Sequence, residues 1–561
     1  MSAALGQMQR ADPAQTKALP QGRLPSPFKA LRVFLLFLVA VCVKGGKMPR
    51  PSRVANAYKT VISSSTLEGA LRMGTPLHRI LAMGNTSSIT TSHPVIRSLV
   101  ERWSSGSTPR TRALDGGDGC KIALCIEGGG MRGCVAAGST AALHFLGLAD
   151  AFDCVYGSSA GSMVGAYFVS RQRAAGSIYS DVLPAAGRDF IDKSQLLQAL
   201  GITAPTIRAG QRSSAIATVI DLNFLLDEVM REHQPLDLDT FIANDVVQPL
   251  HIVASSLATL KPVVFSSKNS GQPWTMDSLL QCIRASMNVP GVTGRLMAVS
   301  AGQCAPQPFS SPASAARWGL GGAPAETQEP LADAFLAEPM PYRSAAADGA
   351  THCLVLRTRP DPSPTLGRKP GLYERVICSR FFKSLGCDSA ADWMTRQQHL
   401  RVYAEDLTLL NDAAAGPTDG VKVGGRAVHL LPLAPAKGRP EVSQLETHRA
   451  AILAGMKDGA RRTLQVLAPA LLDACRDLGA EAVAGRDKSE AGSAMVEIDA
   501  AVEDMLCMIF PETYSGSGSD RVGGRGSWGS GRGWSRGKGV LVRKDAAQIR
   551  AEIMLEKGSF V

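Results

Sequence analysis

The stretch from Leu124 to Gly161, LCIEGGGMRGCVAAGSTAALHFLGLADAFDCVYGSSAG, constrains the fold more than any other part of the chain. CKIALCIE, from Cys120 to Glu127, is a continuous apolar run of strand length that stops at three glycines, the pattern of a strand buried on both faces of a parallel sheet. RGCVAAGSTAALHFLGL reads as the helix after it, FDCVYG as the next buried strand, and SMVGAYFVSRQRA as a second apolar helix. Further on, VIDLNFLLDEVMRE is helical, PLHIVASSL and PVVFSS read as strands, SLLQCIRASM is helical and HCLVLRTRP is a late strand. This alternation predicts an α/β fold, a three-layer sandwich with a mostly parallel central sheet, followed by C-terminal helices and with disordered ends.

The net charge of +11 belongs to the two ends. The first 60 residues carry +9 and residues 521–544 carry +7, which leaves the rest of the chain at about −5. The body therefore has no electrostatic footprint for nucleic acid. The 12 cysteines are scattered without CxxC pairs or metal-ligand spacing, so they read as reduced, buried small hydrophobes.

Residues 1–60 form a targeting or anchor segment: the apolar run VFLLFLVAVCV, 33–43, lies between basic residues and is shorter than the ~20 residues a spanning helix needs. A membrane-associated, secretory-pathway or organellar location is the expectation. Residues 61–119 hold a helix, HPVIRSLVERW, and a polar linker. A main α/β domain at 120–361 contains a surface insertion at about 300–341, rich in Ala, Pro, Gly and Ser. A mainly helical extension at 362–513 precedes a disordered Gly/Arg-rich segment at 514–540.

Gly128-Gly129-Gly130-Met131-Arg132-Gly133 satisfies the dinucleotide pattern GxGxxG, but the second strand ends in Gly157-Ser158-Ser159, where an acidic residue would have to hold a ribose. GSSAG instead matches GxSxG, in which Gly157 and Gly161 let a strand turn sharply into a helix and leave Ser159 exposed. Alone that match is weak in a chain with 56 glycines. The buried strand before it and the apolar helix after it strengthen it. An acyl-transfer serine needs N–H donors aimed at the developing oxyanion, and a glycine run at a helix N-terminus supplies them. Arg132 could hold the loop, meet an anionic head group or form a structural salt bridge.

None of the nine histidines stands in a recognisable triad setting. Together, GGGxRG after the first strand, GxSxG one unit later and a downstream Asp-Gly-Gly/Ala resemble the patatin-like phospholipase family over about residues 122–360. The resemblance implies a patatin-like α/β sandwich and a Ser-Asp pair that hydrolyses lipid acyl esters without histidine, cofactor or metal. It implies an oxyanion hole in the glycine loop, with Gly128, Gly129, Gly130, Met131, Arg132 and Gly133 as candidates. Of three Asp-Gly-Gly/Ala matches, Asp115 lies in the linker and Asp458 within a predicted helix. Asp348, followed by Gly349 and Ala350 in a turn before a buried strand, is the expected base.

The expected function is hydrolysis of phospholipids or acylglycerols at a membrane surface, in lipid catabolism. A transacylase with the same dyad is one alternative. The other is an inert interaction protein that binds RNA or membrane through its basic tail, where Trp528 and Trp534 interleave with Arg525, Arg532 and Arg536.

Overall fold

The computed structural model describes residues 93–172, 174–195, 218–309 (apart from 290, 295, 301, 302 and 304), 328–360, 382, 383 and 386–479. The apolar run 33–43, most of the helix expected around LYERVICSRFFKSL, and the Gly/Arg-rich segment 514–540 lie outside them.

In chain order the elements used below are α1 (Pro94–Ser105), β1 (Ile122–Ile126), α2 (Gly133–Phe145), β2 (Cys154–Ser158), α3 (Ala160–Val169), β3 (Leu250–Ser256), β4 (Pro262–Phe265), α4 (Met276–Ser286), β5 (Met297–Ser300), β6 (Gln307–Pro308) and β7 (Gln328–Ala332). They continue with α5 (Tyr342–Ala347), β8 (His352–Leu356), α6 (Asp388–Thr395), α7 (Gln398–Ala413), β9 (Val421–Val423), β10 (Arg426–Leu433) and α8 (Arg449–Gly479). The strands make one sheet in the order β6-β5-β7-β3-β2-β1-β8-β10-β9, with β4 also paired to β3. Its middle, β3-β2-β1-β8-β10, is parallel throughout. The outer pairings are antiparallel.

Every residue of β1, β2, β3 and β8 is buried, as the unbroken apolar runs require of strands covered on both faces. Alternation along β1 sorts the two cores. Ile122, Leu124 and Ile126 point into one cluster with α1, α2, α3 and α8 residues such as Leu99, Leu143, Met163 and Met456. Ala123 and Cys125 point into the other, with Tyr342 and Ala345 of α5 and Tyr403 and Leu410 of α7. These are the two helical layers of the expected sandwich.

Two features of the sequence reading change. The stretch at about 300–341 is not a plain insertion: it holds β6, β7 and a tight turn at Ala334–Leu336, with 301, 302, 304 and 310–327 outside the described residues. The chain after 361 does not stand apart either, because β10 enters the sheet beside β8, with Leu431 opposite Leu354. Helix α8 lies along α2 at a contact where two glycines face opposite main chains. A Cβ on Gly138 would strike the Met456 carbonyl, and one on Gly459 the Val135 carbonyl.

Candidate active site

The serine sits where β2 gives way to α3. Ser159 has φ 51° and ψ −125°, a left-handed conformation that costs a non-glycine residue on the order of 1–3 kcal/mol and persists only where the surroundings dictate it. They do so here. A Cβ on Gly161 would strike the Ile126 carbonyl, so only glycine lets α3 start this close to β1. The Ser159 amide donates to Ser286 Oγ of α4 at 2.8 Å, and that hydroxyl donates to the Val253 carbonyl of β3. The bend is thus tied to both neighbouring strands.

Ser159 Oγ donates to Asp333 Oδ2 at 2.6 Å. Asp333 follows β7 and is 2% exposed. Its other oxygen accepts from the Phe335 amide at 2.8 Å, its own amide donates to the Asn288 carbonyl at 2.7 Å, and Ser255 Oγ donates to its carbonyl at 2.9 Å. Burial pushes the carboxyl up to about 7, against the lowering effect of the Ser159 hydroxyl and the Phe335 amide. Among the described residues, neither Ser159 nor Asp333 hydrogen-bonds a histidine.

Asp348, the carboxylate expected to serve the serine, lies elsewhere. It ends α5 just ahead of β8, and β8 and β2 both run parallel to β1. Ser159 follows the C-terminal end of its strand and Asp348 precedes the N-terminal end of its own, so a five-residue strand of roughly 16 Å separates them. The Asp348 side chain, 43% exposed, accepts from Tyr156 Oη at 2.6 Å and stands 3.9 Å from His251 Nδ1. Gly349, at φ 87°, makes the turn the sequence promised, but at the wrong edge of the sheet. Ala350 is buried under β8 in the second core. Sequence reasoning passed over Asp333 because Ala334 and Phe335 follow it where the pattern asks for glycine, and because it lies in the stretch read as an insertion. The available signal was directional but negative: a carboxylate just before a strand parallel to β2 lies at the edge opposite Ser159, whereas Asp333 stays on the serine's side because antiparallel β7 overlaps only Ser255 and Ser256 at the end of β3.

The glycine run does face the serine. A Cβ on Gly128 would come within 2.6 Å of the Ser158 carbonyl and 2.7 Å of Ser159 Cβ, so loop and bend touch only because Gly128 has no side chain. Of the six candidate amides, four are engaged. Gly128 donates to the Pro339 carbonyl at 3.3 Å, Met131 to Gln444 at 3.0 Å, Arg132 to Gly129 at 3.2 Å, and Gly133 to the Gly130 and Met131 carbonyls. The Gly129 and Gly130 amides alone have no acceptor among the described residues, and both glycines are part-exposed.

Their direction is fixed from behind. In a trans peptide the N–H points opposite to the preceding carbonyl. The Gly128 carbonyl accepts from Thr358 Oγ1 at 3.1 Å, and the Gly129 carbonyl from the Arg132 amide. Glu127, 2% exposed, anchors the root of the loop by accepting from the Thr358 amide and from Tyr403 Oη at 2.7 Å. Of the roles open to Arg132, the salt bridge is the one observed: its side chain, 6% exposed, pairs with Glu441 at 2.5 Å.

Among the described residues no group of three or more His, Cys, Asp or Glu side chains could hold a metal ion, and no helix is long and apolar enough to cross a membrane. Cys120, Cys125, Cys134, Cys154, Cys282, Cys353 and Cys387 are free thiols.

The patatin-like phospholipase family model matches residues 124–345. No curated protein matches the chain. Among solved structures, the crystal structure of VipD from Legionella pneumophila matches at 12% identity and a TM-score of 0.31, over 72% of this chain and 81% of that one, a likeness too slight to bear on the site. The glycine loop, the strained serine and its buried carboxylate all fall inside the matched span. The chain carries, over residues 124–345, a domain of the patatin-like phospholipase family, a family of lipid acyl hydrolases.

Proposed function

We propose that the protein is a serine hydrolase of lipid acyl esters, with Ser159 as nucleophile and Asp333 as its base. The observation that carries this reading is the 2.6 Å bond from Ser159 Oγ to a carboxylate sealed from water. Ser159 Oγ attacks the acyl carbonyl carbon while Asp333 takes its proton. The carbonyl electrons move onto the oxygen, which the Gly129 and Gly130 amides hold as an oxyanion. Collapse breaks the ester bond, and the departing alkoxide takes the proton from Asp333 as the alcohol leaves. A water then attacks the acyl-serine and gives a proton to Asp333; collapse breaks the bond to Ser159 Oγ, which takes that proton back from Asp333 as the acid leaves. With another alcohol in place of water the same steps give transacylation.

The substrate class is a phospholipid or acylglycerol presented at a membrane surface. The apolar run at 33–43 between basic residues supports delivery there. The test is a panel of both lipid classes on the full chain with Ser159→Ala and Asp333→Asn beside it. Each variant is expected to lose on the order of 10³-fold or more in kcat. Full hydrolysis by Ser159→Ala would sink the reading.

A further inference from the structure

The amide loop is held in place by chain far outside the matched family span. Residues 434–448 run from the end of β10 to the start of α8 and pass over the glycines. Within this strap Gln444 offers its carbonyl to the Met131 amide, close enough that a Cβ on Gly130 would come within 2.7 Å of it. The same Gly130–Met131 peptide is held at its oxygen by Tyr179 Oη at 3.4 Å. Three residues earlier, Glu441 Oε1 binds Arg132 Nη1 at 2.5 Å and lies 3.3 Å from Arg359 Nε. Val442 between them is buried, packed where α8 meets Cys134 and Val135 of α2.

These contacts bear on the two unengaged amides. Arg132 donates its amide to the Gly129 carbonyl, the bond that aims the Gly130 N–H. Arg359 lies 5.0 Å over the ring of Tyr403, whose hydroxyl holds Glu127 at the root of the loop. Glu441 therefore grips both sides of the glycine run: Arg132 on its helical side, and, through Arg359 and Tyr403, its strand side.

We infer that the Glu441–Gln444 strap is the positioning element of the oxyanion loop, with Glu441 as a positioning residue that keeps the Gly129 and Gly130 amides aimed at the reacting carbonyl. The inference rests on the hydrolase reading for its kinetic consequence, but not for its structural one. A donor that must be found rather than preset contributes less to the transition state than to ground-state binding, so the loss falls on kcat.

The test uses the full chain with Glu441→Gln, Glu441→Ala and Glu441→Asp. Hydrogen exchange of the amides at 128–133 is followed by mass spectrometry, and hydrolysis of p-nitrophenyl butyrate is measured in parallel. In Glu441→Gln the exchange at 128–133 is expected to rise while that of β1 and β2 stays as in the parent. kcat is expected to fall by roughly 10- to 100-fold, less than the loss of an oxyanion donor itself, with KM within twofold. Glu441→Asp is expected to recover part of the loss. Unchanged exchange at 128–133 in both Glu441→Gln and Glu441→Ala overturns the inference whatever the kinetics, and so does a change confined to KM. A rise in exchange at 128–133, in a protein whose Ser159→Ala variant hydrolyses the ester as the parent does, upholds the strap and overturns the hydrolase reading instead.

Discussion

The two edges of the parallel strands carry the same kinds of residue in opposite physical conditions. At the N-terminal edge Asp348 accepts from Tyr156 Oη, the Tyr156 ring stacks on His251 at 4.2 Å, and Lys121 Nζ donates to the Asp348 carbonyl at 2.6 Å. The carboxylate there is half-open to water, and no non-glycine residue of the cluster has a positive φ. At the C-terminal edge Asp333 is sealed, Ser159 is strained, and two amides have no acceptor. At one edge the carboxylate is bonded to a neighbouring tyrosine and open to water, while at the other it is sealed and bonded to a serine beside two amides that have no acceptor among the described residues. A carboxylate is common to both, and its surroundings alone separate them.

Removing each carboxylate charge in turn breaks the comparison most sharply. Asp333→Asn is expected to lower kcat on the order of 10³-fold or more, whereas Asp348→Asn is expected to stay within about twofold, because a part-exposed bond is worth only about 1 kcal/mol and lies away from the chemistry. Steady-state kinetics on the two variants decides it; equal losses would erase the distinction between the edges.

The paired glycines come next. Gly128→Ala drives a methyl into Ser158 and Ser159, and is expected to cost on the order of 10²-fold in kcat through a displaced bend. At Gly349→Ala the new methyl meets nothing nearer than 3.7 Å, so only its left-handed backbone is penalised. The expected outcome is about 1 kcal/mol of stability lost with activity kept.

Acid and base then act on the edges with opposite signs. Asp333 must be ionised to accept a proton, so kcat/KM is expected to rise with pH through about 7. Its folded pKa lies above the ordinary aspartate value, so its contribution to stability is present at low pH and lost as the pH rises through about 7. Asp333→Asn is expected to raise the melting temperature above pH 7, by an amount worth at most about 4 kcal/mol, and to change it little near pH 4. His251 behaves inversely: burial lowers its pKa to about 4, so its contribution holds at neutral pH and is lost as the pH falls from about 6.5 to about 4. His251→Phe is therefore expected to soften acid unfolding by a few degrees, roughly 2–4 °C per kcal/mol. Melting scans of both variants from pH 4 to pH 9 measure the two limbs.

The layers of the fold and one half of the site were legible in the sequence. Short unbroken apolar runs such as IALCI and HCLVL, of strand rather than helix length, announce central parallel strands covered on both faces, and Gly128, Gly157 and Gly161 mark where main chains must touch. The other half was hidden for two physical reasons. Asp333 acts through burial and through its place after β7, and a short strand such as QEPLA, with a glutamate and a proline at an antiparallel margin, lacks the periodicity of a central one. Glu441, Gln444 and Thr358 act through contacts across more than 200 residues of sequence, which no local pattern encodes.

Opposed glycines at 138 and 459 leave the longest described helix no freedom to slide or roll against its neighbour, since any axial step would bring a side chain against bare peptide. It stands as a keyed post. A segment of 15 residues leaving a seated strand at Leu433 and ending on that post at Arg449 is a bridge with both abutments fixed, and the glycine loop hangs from it at Gln444.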